Sequence, residues 1–157
     1  YYTDKKQVWS EALAVLIDGG SASSAEILAG AIRDHQRGYL VGDRTYGKGS
    51  FQEGAVWDHN PEIAIFETKG FFYLPSGDSP QLKGVSPDIA VKGANYKVYR
   101  EDNQFLFPLL APQFLRGALS SWGLKSPCQE VVTGEDKVVD KAASFLFCND
   151  KVARVEK

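Results

Sequence analysis

The chain has 157 residues, a formal net charge of -2, 43% hydrophobic residues and 24% charged residues. That composition describes a globular domain with enough apolar residues for a core, and it argues against disorder. The near balance of charge gives no electrostatic basis for binding nucleic acid. The longest apolar runs, such as ALAVLI over 12–17, fall far short of the roughly 20 residues that a membrane span requires. No N-terminal charged and apolar pair resembles a signal peptide. Methionine is absent, so the sequence is expected to be part of a longer translation product.

Taken in chain order, the run 12–17 ends at Asp18, Gly19 and Gly20 and reads as a buried strand followed by a turn. Next comes SASSAEILAGAIRDHQRG, with Ile27, Leu28, Ala31 and Ile32 at helical spacing; the spacing predicts a helix that stops at Gly38. Tyr39 to Val41 predicts a second short strand, which makes a β-α-β unit over about 12–41 and favours a parallel sheet.

The following stretch, GDRTYGKGS over 42–50, matches G-x-x-x-x-G-K-[ST] at Gly42, Gly47 and Lys48 but has Gly49 in place of the hydroxyl residue. A phosphate loop must also open a helix, whereas FQEGAVWDHNP follows, with Gly54 and Pro61 and no helical period. Nucleotide binding is therefore the weaker reading of Lys48.

From 55 to 74 the pattern is strand-rich, AVW and then IAIFETKGFFYL around Gly70, closed by a turn at Pro75, Ser76 and Gly77. QLKGVSPDIAV over 81–91 predicts a loop and a short edge strand, and EDKVVDKAASFLF over 135–147 an amphipathic helix. The fold class expected is mixed α/β, a strand-turn-helix-strand unit with added β-hairpins.

Cys128 and Cys148 have neither CxxC spacing nor a histidine pair beside them, which argues against zinc. One disulfide closing a loop of about 20 residues would contribute about 3 kcal/mol and imply an oxidising compartment. Two buried thiols fit the spacing as well.

Ser23 and Glu26 fit S-x-x-E, the pattern of a capping box in which each residue satisfies the other's amide. A serine at a helix N-terminus after a strand is also where a nucleophile gains from amides able to hold an oxyanion. His35 at the far end of the same helix and His59 in DHNP read as solvated residues, so the base must be sought elsewhere.

The blocks GGSASSAEILAGAIRDHQRGYLVGDRTYGKGSFQ (19–52) and GFFYLPSGDSPQLKGVSPDIAV (70–91) closely resemble the carboxyl-terminal processing proteases, also called tail-specific proteases. These are serine peptidases with a Ser-Lys dyad. The resemblance places the nucleophile on Ser23, the base on Lys48 and a supporting amide on Gln52, with the backbone of Ser24 as an oxyanion donor. Glu26 is either a cap or a supporting member of the site.

A lysine of ordinary pKa, about 10.4, is neutral in about one molecule in 2,500 at pH 7. A lysine base therefore needs surroundings that discriminate against the ammonium by roughly 4 kcal/mol.

The resemblance further implies that 1–92 is a partial catalytic core and 93–157 a C-terminal extension packing on it. The family's upstream R.N.GG loop and its PDZ domain have no counterpart in these residues, so the chain reads as the C-terminal part of such a core, and by itself inactive. Expected partners are protein or peptide substrates with apolar C-termini, the upstream portion with its PDZ domain, and further copies of the chain through uncovered apolar faces. No cofactor or metal is implied. A periplasmic or otherwise exported location follows from the family, and with it a Cys128–Cys148 disulfide.

Overall fold

The computed structural model describes residues 9–91, 100–112 and 136–146. Strand β1 (Ala14–Ile17) leads through a turn into helix α1 (Ser24–Asp34), and the chain returns as β2 (Tyr39–Gly42). β1 and β2 pair in parallel, Ala14 opposite Tyr39 through Ile17 opposite Gly42, so the β-α-β unit forms as its spacing predicts. A hairpin follows, β3 (Ser50–Trp57) with β4 (Asn60–Phe71), then β5 (Ile89–Ala90), a single turn α2 (Glu101–Gln104) and helix α3 (Lys137–Leu146). β5 pairs in parallel with the other edge of β2, giving the sheet order β1-β2-β5.

The parallel sheet buries one face against α1. Ile17, Leu40 and Val85 close on Ala29 of the helix and on Leu74, with Val15 and Ile32 packed at the margin. The AGA sequence in α1 is a packing requirement, because a Cβ on Gly30 would overlap the Leu74 side chain. α3 lies against β1 and β2 and buries Ala142 and Ser144.

Two expectations change in detail. β1 is not wholly buried: Leu16 points away from the core and is 48% exposed. α1 ends at Asp34 with His35 as its cap, four residues before Gly38, because Gln36 takes a positive φ of 51° and breaks the helical path. Gly70 lies inside β4 opposite Phe51, and the hairpin reverses at Asp58 and His59. Gly70 makes room for the Phe51 ring, which a Cβ would approach to 2.9 Å. Cys128 and Cys148, with the bond expected between them, lie outside the described residues.

Candidate functional site

The turn between β1 and α1 is built first. The Asp18 carboxylate accepts from the Gly20 amide at 2.9 Å and the Ser21 amide at 3.1 Å, an Asx turn that a short acid before glycine favours. It delivers Ser23 to the start of α1 with φ 56° and ψ -115°. A non-glycine residue held there carries about 1–3 kcal/mol of backbone strain, and such strain persists only where the surroundings over-determine it.

The surroundings here are Glu26. Its side chain is fully buried, and Oε2 accepts from the Ser23 amide at 3.0 Å. Both halves of the capping box are present, the Ser23 side chain on the Glu26 amide and the Glu26 side chain on the Ser23 amide, and the Glu26 amide is also bonded to the Ser23 carbonyl at 2.9 Å. Ser24 opens α1, where first-turn amides have no intrahelical acceptor.

Glu26 also binds the second element of the site. The loop between β2 and β3 donates to it three times: the Thr45 hydroxyl to Oε1 at 2.5 Å, the Gly47 amide to Oε1 at 2.8 Å and the Lys48 amide to Oε2 at 2.7 Å. A buried carboxylate is tolerated when its lone pairs are filled in this way. Gly47 takes φ 102°, and it packs against the Leu82 and Gly84 backbone, where a Cβ would lie 3.2 Å away; the loop can follow this path only with glycine there.

The third element is β3. Lys48 Nζ donates to Gln52 Oε1 at 2.8 Å and to the Ser50 carbonyl at 3.1 Å. Gln52 Nε2 in turn donates to the Ser50 hydroxyl at 3.1 Å and to Thr68 Oγ1 at 3.2 Å across the hairpin. The register slips between Phe51 opposite Gly70 and Gln52 opposite Thr68, leaving Lys69 as an extra residue in β4. This bulge sets Thr68 across from Gln52.

The structure therefore gathers Ser23, Glu26 and Lys48 on one carboxylate and joins Gln52 to Lys48. His35 and His59 stand apart, the first capping the far end of α1 and the second exposed at the hairpin tip with its ring edge-on to Trp57 at 5.4 Å. The phosphate-loop reading fails on geometry. Lys48 leads into a strand, and the amides of Gly47, Lys48 and Gly49 are already taken by Glu26 and Gln81. Thr45 and Gln81 were not singled out by sequence. Both are buried, and only the close approach of distant loops reveals what they hold.

Charge elsewhere steadies the frame. Asp34 accepts from Arg33 at 2.8 Å and from the Ser76 amide at 3.0 Å. Burial pushes its carboxyl up, but the hydrogen bonds from Ser76 and Arg33 outweigh it and hold the group below its ordinary value. Tyr46 is pushed up, by burial first and then by Glu101. Among the described residues, no group of three or more His, Cys, Asp or Glu could hold a metal ion, and no helix is long and apolar enough to cross a membrane.

The sequence model of Peptidase family S41 matches residues 1–91. A carboxy-terminal-processing protease of Bartonella bacilliformis is 42% identical over 90 residues, 57% of this chain and 19% of the relative. A tail-specific protease of Haemophilus influenzae is 36% identical over 110 residues, 64% of this chain and 16% of the relative. A solved photosystem II D1 C-terminal processing protease is 36% identical, with a TM-score of 0.46 over 50% of this chain and 20% of that one. The chain thus spans no more than about a fifth of the length of these relatives.

Proposed function

Because the chain belongs to peptidase family S41, we propose that it carries the reacting groups of a serine endopeptidase that cleaves proteins near their C-terminal tails. The neutral amine of Lys48 takes the proton of the Ser23 hydroxyl as Oγ attacks the scissile carbonyl. The developing oxyanion is met by the Ser24 amide, at the positive end of α1. Collapse breaks the C–N bond, and the lysine ammonium returns its proton to the leaving amine. The acyl-enzyme is released by water through the same base. Gln52 aims the amine by accepting one of its hydrogens, and Glu26 holds both reacting residues by their backbones.

The observation that carries this reading is the pair of amides, Ser23 and Lys48, on a single buried carboxylate oxygen. A binding module of the same fold has no chemical need for that arrangement together with Gln52 on Lys48 Nζ. The wider assignment is part of the same proposal. Residues 1–92 form part of a catalytic core and 93–157 an extension on it; an upstream portion with a PDZ domain supplies the second oxyanion donor and receives apolar C-termini. The protein works in an exported compartment. The 157 residues alone are then inactive and prone to associate with the upstream portion or with each other.

A labelled fluorophosphonate applied to the full-length protein tests the dyad. Ser23→Ala and Lys48→Ala should each abolish labelling while leaving the fold intact. Lys48→Arg should do no better than alanine, since a guanidinium does not become a neutral base. Labelling of Lys48→Ala at the wild-type rate would sink the assignment.

A further inference from the structure

Three consecutive amides around Lys48 end on buried side chains. Those of Gly47 and Lys48 go to Glu26, and that of Gly49 goes to Gln81 Oε1 at 2.8 Å. Gln81 is 4% exposed. Its Nε2 donates to the Leu109 carbonyl at 3.1 Å, so its two ends face a donor and an acceptor, and a carboxamide satisfies both. The approach is close: a Cβ on Gly49 would lie 2.6 Å from the Gln81 amide nitrogen and from Ser79 Oγ. Around this bond the Gly47 carbonyl accepts from Leu82 and the Gly49 carbonyl from Phe72. The peptide planes on both sides of Lys48 are thereby fixed, and with them the direction in which its side chain leaves the backbone.

We infer that Gln81 is a positioning residue of the proposed reaction, acting on Lys48 through the Gly49 amide and itself oriented by the segment that carries Leu109. This rests on the reading of Ser23 and Lys48 as a catalytic pair. Misplacing a reacting group by about 1 Å costs up to about 10²-fold in rate, so loss of this hold should act on the chemical step.

Fluorophosphonate labelling of the full-length protein separates that effect from simple loss of fold. The amplitude counts folded sites, and the rate constant reports how well the base is placed in each of them. Gln81→Leu, which keeps the bulk and removes both hydrogen bonds, should lower the rate constant about 10- to 100-fold. Gln81→Glu keeps an acceptor for the Gly49 amide and should label faster than Gln81→Leu. Should the leucine variant leave no labelled fraction, Gln81→Asn, too short to span both partners, takes its place. A rate constant within about twofold of wild type at reduced amplitude overturns the inference, as does Gln81→Glu labelling no faster than Gln81→Leu. Lys48→Ala in the same assay keeps the two readings apart: if it labels normally the dyad is wrong, and if it is silent while Gln81→Leu is normal only the role of Gln81 is lost.

Discussion

The amides of Ser23 and Lys48 donate to the same oxygen, Oε2 of Glu26, at 3.0 and 2.7 Å. Residues 25 apart in sequence are thus held together by their backbones. Glu26→Gln should damage both stability and rate. The carboxylate accepts from four donors, and an amide nitrogen in place of one oxygen would face donors with nothing to accept them. Loss of a hydrogen-bonded charge of this kind costs about 2–4 kcal/mol. Urea unfolding should show that loss, and the labelling rate of the remaining folded protein should fall by about two decades.

Thr45 supports the carboxylate from the other side. Its hydroxyl donates to Glu26 and accepts from the Val85 amide at 2.6 Å, joining α1, the Lys48 loop and the loop before β5. Thr45→Val has nearly the same shape but strands the Val85 amide in a buried position, which costs about 1–3 kcal/mol. Thr45→Ser keeps both bonds and should stay within about 1 kcal/mol of wild type by the same denaturation measurement, the lost methyl being the only deficit.

Local pattern made the first β-α-β unit legible, since ALAVLI and the apolar spacing of Ile27, Leu28, Ala31 and Ile32 each match one period. The candidate residues Ser23, Lys48 and Gln52 were singled out through the resemblance of their blocks to a family, and each has a hydrogen-bond partner in the structure. Glu26 stood between two readings because S-x-x-E is satisfied by a plain helix cap. Its second role depends on a loop 19–22 residues away, which local pattern does not reach. Gln81 was invisible for the same reason, its partners being 28 and 32 residues distant.

Asp34 should give the fold an acid-sensitive contribution. Its carboxyl lies below the ordinary value of 3.8 because Ser76 and Arg33 outweigh burial. A depressed carboxyl stabilises the folded state above the unfolded value, and that contribution is lost as pH falls below it and through the folded value. Urea midpoints measured from about pH 5 to about pH 2 should therefore fall in wild type below 3.8. Asp34→Asn should be less stable at neutral pH and show a shallower fall over the same window; an unchanged slope would count against the Ser76 link.

Gln52 isolates the orientation of the proposed base from its identity. The Ser50 and Thr68 hydroxyls take its amide nitrogen, so its carbonyl oxygen is the end presented to Lys48 Nζ at 2.8 Å. The residue is exposed on β3, and its removal should leave the fold nearly untouched. Gln52→Ala should slow labelling of Ser23 by about one to two decades, the range for a group that orients without reacting. Gln52→Glu sharpens the test. It still offers an oxygen to Nζ, so if hydrogen bonding alone mattered it would outperform alanine. A carboxylate beside the amine, however, favours the ammonium form, which has no lone pair with which to take the serine proton. Gln52→Glu should therefore label more slowly than Gln52→Ala at neutral pH and recover as pH is raised, and the opposite order would mean that Lys48 does not act as the base.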